Sequence, residues 1–320
     1  MGNSQKIKLT LNEFYQNELP ILGDIINFNS NLFVSAYTNT TGVKTPETVF
    51  RGTLFSRNRF NSEEYLLNYK KSGLNLSMSM GVMSYRERSV LESIATRNLK
   101  ETEDSLIKLP TYKNIKAPIG SVIRSRRSIK QFTSKRLDME DVATLLFYAS
   151  GISGEYTLEG ASKTATLGQS NQKMYTRMVS SGGGLYPIDL YFIPQEVKDL
   201  KDNAVYKYVP EKNSIKEIRN LKKDFSYKHI AQLENIDNSN ANLFLIYVYK
   251  IYENSRKYGD TGLVFALLEA GGISQNVHLV CTSLNYGSCD IGGFDKHKIE
   301  ALLDIDGLSQ HVIHSTIIGA

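Results

Sequence analysis

Cysteine is scarce in this chain, which has only Cys281 and Cys289 among 320 residues. Two cysteines cannot form a disulfide framework, and so low a number fits a reducing compartment. The chain also has few histidines, and no group of them has the spacing of a metal site. His311 and His314 are three residues apart in a predicted strand, so they should point to opposite faces. The sequence therefore predicts no bound metal.

Strong charge of one sign and long apolar runs are missing as well. The formal net charge is +5 and is spread along the chain, which is too weak to indicate nucleic-acid binding. The N-terminus has no apolar signal-peptide core, and the longest strongly apolar run, LFLIYVY at 243–249, is far too short to span a bilayer. We expect a cytoplasmic protein with no membrane insertion and no nucleic-acid partner.

Three common motifs are absent. The sequence contains neither the GxGxxG fingerprint of dinucleotide-binding folds nor the GxxxxGK of P-loop proteins. It also lacks a GxSxG nucleophile elbow. A dinucleotide-binding fold, a P-loop nucleotide site and serine hydrolysis are therefore not indicated.

Hydrophobic residues make up 41% of the chain, enough for a sizeable core. Residues 1–110 are rich in Asn, Ser and Thr and predict an irregular or partly helical N-terminal extension. Residues 111–320 predict one α+β domain, in which helices cover a mixed or mostly antiparallel sheet. The expected elements are a helix after Asp138 ending at Gly151, a polar loop at 153–174, strands at 185–194, 204–209 and 241–252, a helix at 261–285 and a strand at 311–319.

Four segments carry groups that could bind a ligand or transfer a proton. RSRRSIKQF at 124–132 collects cations and hydroxyls that suit a phosphate, although a solvated basic face is the alternative. RMVSSGGGLYPIDLY at 177–191 offers glycine backbone to a flat or anionic ligand, or is a flexible loop before a strand. SRKYGDTG at 255–262 puts Lys257 and Tyr258 just after the predicted central strand, as proton-transfer groups or as surface residues. NYGSCDIGGF at 285–294 reads as a turn after a helix.

In this order, the segments resemble the nitroreductase-like flavoproteins, and specifically the SagB-type (McbC-like) azoline dehydrogenases. The motifs that carry the resemblance are RRSxKxF, S-x-G-G-L-Y-P-x-x-L-Y, K-Y-G, E-x-G-G-x-x-Q-N and C-x-I-G-G-F. They cover about residues 120–320. The N-terminal third matches only loosely, through NSEEYLLNYKK at 61–71.

The resemblance implies an α+β fold that binds FMN at a homodimer interface. It also implies oxidation of thiazoline or oxazoline rings to azoles in a ribosomally made bacteriocin-type or toxin peptide, alongside a cyclodehydratase. The cofactor residues that it implies are Arg126, Arg127, Ser128, Lys130, Ser181, Gly182, Gly183, Gln275, Gly292 and Gly293. The implied acid/base pair is Lys257 and Tyr258, and the sequence leaves open which of them is the base.

Two other functions stay open at this point. One is an NAD(P)H-dependent nitroreductase or flavin reductase on the same fold, and the other is an inactive flavin-binding scaffold of a biosynthetic complex. The Gly271-Gly272 pair in the apolar helix lowers helix stability unless a neighbour approaches closely. We therefore expect this helix in or near a homodimer interface.

Overall fold

The computed structural model describes residues 65–66, 76–85, 90, 106–157 and 173–320. The chain divides into two compact units, Met1–Lys71 and Ser72–Ala320, and the second contains nearly all of the described residues. Most of the predicted extension over residues 1–110, including nearly all of the segment at 61–71, lies outside the described residues. The boundary between residues 110 and 111 stays a prediction.

Strands form the centre of the second unit. Those in the described residues are β1 (Leu106–Lys108), β2 (Ile152–Thr157), β3 (Lys173–Arg177), β4 (Ile188–Pro194), β5 (Ala204–Val209), β6 (Ser214–Asn220), β7 (Leu243–Lys250), β8 (Gly287–Ile291) and β9 (Gln310–Gly319). Seven of them make one sheet in the order β1-β6-β5-β4-β7-β9-β8, and every neighbouring pair is antiparallel. The α+β prediction with a mainly antiparallel sheet is confirmed.

β7 is the central strand because its residues are apolar on both faces. All of its residues except Lys250 are buried. On one face Leu245 and Tyr247 join a core that includes α-helical residues, and on the other face Phe244 and Ile246 join a second core. A strand that is buried on both faces has a continuous apolar sequence. The apolar run at 241–252 predicted the strand on this ground.

Helices lie over both faces of the sheet. In the described part of the chain they are α1 (Leu76–Ser84), α2 (Ile119–Ser125), α3 (Met139–Ser150), α4 (Ile251–Tyr258), α5 (Thr261–Ser283) and α6 (Lys296–Leu303). The long helix α5 packs against α2, α3, α4 and β8, so it links the elements around the candidate site. It is also the one described helix whose length and apolar composition would allow it to cross a membrane, and 44% of that stretch is buried inside the protein.

Several local predictions are confirmed and others are wrong. The helix from Met139 to Ser150 ends at Gly151 as expected, and the strand predicted at 204–209 forms as β5. Asp138 stands at the N-cap, but its side chain makes no cap hydrogen bond and pairs with Lys198 at 2.6 Å instead. The prediction of a polar loop at 153–174 is wrong at both ends, because β2 and β3 occupy them and pair antiparallel. The rest of the predicted loop, residues 158–172, lies outside the described residues.

Candidate active site

Part of the basic segment at 124–132 lies beside a cavity. Arg126 caps the C-terminus of α2, and the following chain runs along β8, where the Ile129 amide donates to the Ser288 carbonyl at 3.0 Å. Arg126 and Ser128 line the cavity, which has a volume of about 470 Å³, within the range of small-molecule sites. The segment therefore supplies a cation and a hydroxyl to an open pocket.

The opposite wall of this cavity comes from one face of α5. Gln275 and Ser274 supply polar groups there, and Gly271 supplies a gap. A Cβ built on Gly271 meets no atom within 4 Å, whereas one built on Gly272 would lie 2.9 Å from Val179 Cγ2. The close neighbour expected for the glycine pair is therefore Val179 of the same chain, which packs on Gly272. Gly271 has no such neighbour and leaves space in the cavity for a ligand.

Asp290 lines the polar end of the cavity, although the sequence did not predict it as a site residue. Its Oδ1 atom lies 3.1 Å from Nε2 of His278 and 3.1 Å from Nε2 of His314. The Ser274 and Thr316 hydroxyls also donate to this carboxylate, at 2.9 and 2.7 Å. Burial acts to raise the pKa of Asp290, but the hydrogen bonds from the histidines and Thr316 outweigh it and hold the pKa far below its usual range.

The prediction that His311 and His314 point to opposite faces assumed regular alternation, but β9 has a bulge between them. His311 pairs with Tyr249 and His314 with Tyr247, two residues on the same face of β7. His311 lies near Lys296 of α6, 3.4 Å from its Nζ, while His314 lies against Asp290 and the Tyr247 ring. Among the described residues there is no group of three His, Cys, Asp or Glu side chains that could hold a metal ion.

The glycine loop and the Lys-Tyr pair form a second group of site residues. A Cβ built on Gly183 would collide with the Tyr258 hydroxyl and would lie 2.7 Å from Lys257 Nζ. Gly183 also has φ of +66°, so glycine is required there for its backbone and for its lack of a side chain. Gly182 packs against the Phe265 ring, with a built Cβ 2.7 Å from the ring. The ends of Lys257 and Tyr258 therefore meet at the loop.

The position of this pair differs from the predicted one. β7 ends at Lys250, and Lys257 and Tyr258 lie in the last turn of α4, not at the end of the strand. Residues after Lys250 turn at once into a helix with a strongly polar composition. The side chains still approach the loop because α4 carries them to it.

Glu269 of α5 is a buried carboxyl that contacts the chain just after the glycine loop. This carboxyl is 1% exposed and accepts from the Ile188 amide at 3.3 Å. Its Oε2 atom has no hydrogen-bond partner among the described residues. Burial raises the pKa of Glu269 to about 7, although Ser181 and the charge of Arg177 act to lower it. The sequence contained Glu269 in the E-x-G-G motif, but gave no reason to assign it a role.

Both groups of site residues lie along α5. Phe265 touches the glycine loop and Gln275 lines the cavity, ten residues further along the helix. At about 1.5 Å per residue, this separation along the axis is about 15 Å. A ligand that contacts both groups has to be elongated.

Seven of the ten predicted cofactor residues lie outside the cavity lining. Three of them, Ser181, Gly182 and Gly183, form the glycine loop, and the other four are Arg127, Lys130, Gly292 and Gly293. Arg127 Nη1 donates to two main-chain carbonyls of its own segment at 2.8 Å, and Lys130 is exposed. Gly293 faces Gln232, where it lines a different depression of about 330 Å³, and a Cβ on Gly292 meets nothing within 4 Å. NYGSCDIGGF is mostly the strand β8 and not a turn, because Gly287–Ile291 pairs with β9.

Comparison with known proteins identifies the family. The model of the nitroreductase family matches residues 123–319, more than half of the chain. The chain belongs to the nitroreductase family. This family is one of oxidoreductases that are typically flavin-dependent, and the match contains the glycine loop, α4, α5 and β8.

Individual relatives and solved structures are also similar to this chain. A Methanocaldococcus jannaschii protein with a provisional nitroreductase name is 29% identical over 200 residues, which cover 62% of this chain and 89% of the relative. A solved structure from Ralstonia eutropha JMP134, also provisionally named a nitroreductase, has a TM-score of 0.51 at 19% identity and covers 67% of this chain and 89% of that one. The Escherichia coli microcin synthetase McbBCD complex with truncated pro-MccB17 bound has a TM-score of 0.49 at 17% identity over 88% of this chain and 96% of that one.

Proposed function

We propose that this member of the nitroreductase family is an FMN-dependent azoline dehydrogenase that acts on a ribosomally synthesised precursor peptide. The observation that carries the proposal is the meeting of Lys257, Tyr258 and Gly183, which come from segments more than seventy residues apart in sequence. These are the residues for which the SagB-type motifs imply an acid/base pair beside the flavin loop.

The residues around the cavity fit FMN. Arg126 offers a guanidinium and Ser128 a hydroxyl, the donors that suit a phosphate group. Gln275 adds an amide, and the gap at Gly271 leaves room for a flat group. In this proposal Arg126 and Ser128 hold the phosphate end, and the backbone of Ser181–Gly183 approaches the ring. The roles of Arg127, Lys130, Gly292 and Gly293 in cofactor binding stay predictions. None of these four residues lines the cavity.

The chemistry requires a base and alignment from the protein. An azoline ring becomes an azole when it loses a proton from Cα and a hydride from Cβ. When bound, FMN supplies the two-electron acceptor for this oxidation. The base is Tyr258, or Lys257 in its uncharged amine form, since both side chains end at the same point of the loop. The buried Glu269 of α5 accepts from the Ile188 amide and so holds the start of β4, which follows the loop.

The partners follow from the same proposal. The substrate is a peptide bearing azoline rings, made in the cytoplasm by a cyclodehydratase with which this protein forms a complex. A second copy of the chain completes a homodimer. An exposed apolar row on α5 supports this interface, with Leu267 51% and Leu268 68% exposed.

The test compares Lys257→Met and Tyr258→Phe with the wild type on synthetic peptides that carry one thiazoline or one oxazoline. Azole formation should fall by about two to four orders of magnitude, the usual contribution of a positioned acid or base. FMN content should stay near the wild-type level. Arg256→Met is the matched control, since Arg256 lies on the same helix and its guanidinium is over the Tyr252 ring, 5.6 Å from the centroid. Wild-type rates in both variants would remove the pair from catalysis.

An NAD(P)H-dependent nitroreductase or flavin reductase is the second candidate, favoured by the names of the M. jannaschii and R. eutropha relatives. Steady consumption of NADH or NADPH with a nitroaromatic, together with no azole formation, would select it. An inactive scaffold would bind FMN and show neither reaction.

A further inference from the structure

Tyr85 lies outside the residues that the family model matches, yet it reaches the candidate catalytic pair. It follows α1, and its amide donates to the Gly81 carbonyl at 3.2 Å. α1 packs on α4 at Gly81, where a built Cβ would lie 2.7 Å from the Lys257 carbonyl oxygen and 3.0 Å from that of Arg256. Only glycine lets α1 lie this close to the end of α4, so Tyr85 is brought to Lys257 by main-chain packing.

The ammonium group of Lys257 lies over two aromatic rings. Nζ is 5.4 Å from the centroid of the Tyr85 ring and 5.1 Å from that of Tyr258. Within the described part of the chain, no carboxylate forms an ion pair with Lys257. The electron-rich faces of the rings are therefore the groups that attract this cation.

Such contacts matter for a lysine because its side chain is long and unbranched. A lysine loses much rotamer freedom when it is held in one conformation, so an unpaired lysine samples many. The two rings favour the conformation in which Nζ lies beside Gly183. Tyr258 supplies one ring from the next residue, and Tyr85 supplies the other from a distant segment.

We propose that Tyr85 is a positioning residue for Lys257, so that the segment before the family domain completes the candidate active site. The functional part of this inference rests on the proposed role of Lys257. The positional part rests only on the contact of the Tyr85 ring with the ammonium group. The ring face acts here, and the phenol hydroxyl has no part in it.

The experiment follows Lys257 directly in the full-length protein. Lysines are converted to ¹³C-dimethyl-lysine, which keeps the positive charge, and the Lys257 signal is identified by its loss in Lys257→Met. Aromatic rings shift the signals of methyl groups held over their faces. Tyr85→Leu should therefore move the Lys257 signal towards that of a solvent-exposed lysine, and Tyr85→Phe should leave it in place.

Activity gives the second measurement. With an azoline peptide, kcat of Tyr85→Leu should fall by about two- to thirtyfold, the range that cation–π contacts span, while Tyr85→Phe should restore the rate. Tyr252→Leu is the matched control: its ring lies near Arg256 on the same helix, so the variant should change neither the Lys257 signal nor the rate. Tyr85→Met replaces the leucine variant if that protein does not fold.

The outcomes separate the two proposals. An unmoved Lys257 signal in Tyr85→Leu, or equal changes in the leucine and phenylalanine variants, would overturn the positioning role. A moved signal with an unchanged rate would support the contact and contradict the catalytic role of Lys257. A moved signal with a reduced rate that phenylalanine restores supports both.

Discussion

Replacement of Glu269 by glutamine should change how the stability of the protein depends on pH. The pKa of this buried carboxyl is raised by burial from its ordinary value of 4.5 to about 7. Between these pH values the folded protein keeps a proton that the unfolded chain releases. The free energy of unfolding is therefore highest below about pH 4.5 with respect to this group, and falls as the pH rises towards 7.

The size of the effect follows from the two pKa values. They differ by about 2.5, and each pH unit corresponds to about 1.4 kcal/mol, so the wild type should lose about 3 kcal/mol relative to the variant by pH 8. Glutamine has nearly the same shape and can accept from the Ile188 amide, but it has no proton to release. Any loss of unfolding free energy from burial of the glutamine amide is the same at every pH. Such a constant change shifts the whole curve of unfolding free energy against pH and leaves its slope unaffected.

Urea unfolding at half-unit steps from pH 4.5 to 8 measures this difference. Protein concentration is kept fixed because the proposed dimer would link assembly to unfolding. Glu234→Gln is the control, since Glu234 is exposed and its replacement removes the same charge at the surface. A difference between wild type and Glu269→Gln that stays constant over this pH range would refute the account of Glu269 as a buried, proton-holding carboxyl.

Three further expectations concern the cavity and the interface. Arg126→Ala should weaken FMN binding by about 1.5–3 kcal/mol, measured by flavin fluorescence, and Arg127→Ala should weaken it less because that guanidinium is held by main-chain carbonyls; equal losses would contradict the cavity assignment. Gly271→Ala should raise the free energy of unfolding by about 1 kcal/mol, since its Cβ meets no atom, while Gly271→Leu should reduce FMN content by filling the cavity; normal content in the leucine variant would place the ligand elsewhere. Leu268→Lys should shift the protein towards monomers in sedimentation at micromolar concentration, and Leu308→Lys, which changes a leucine that is 77% exposed, should not; a monomeric wild type would end the dimer proposal.

Several elements could be predicted from sequence because their signals are local. The apolar run of β7 predicted a strand buried on both faces, and apolar periodicity with a terminal glycine predicted α3. Boundaries were less accurate. The run at 241–252 ends as a strand at Lys250, since the residues that follow have the polar composition of a surface helix, and this moved Lys257 and Tyr258 from a strand end to a helix end.

The composition of the site was only partly predictable. The motifs named Lys257, Tyr258 and the glycine loop, but Asp290 was missed because its partners His278 and His314 come from a helix and another strand. His314 had been considered only together with His311, three residues away in the same strand, and not with residues of other elements. Tyr85 carried no sequence signal at all, since its contact with Lys257 spans the distance between α1 and α4.

The sequence by itself determined the α+β class, the central strand and the long helix, because alternation and helical periodicity are properties of consecutive residues. The sequence motifs also supplied the family resemblance. Only the tertiary structure decided which candidate residues meet. It placed Arg126 but not Arg127 beside the cavity, brought Gly183 to Lys257, and buried Glu269 against the Ile188 amide. Those outcomes depend on contacts between segments far apart in the chain, whose distances no local pattern specifies.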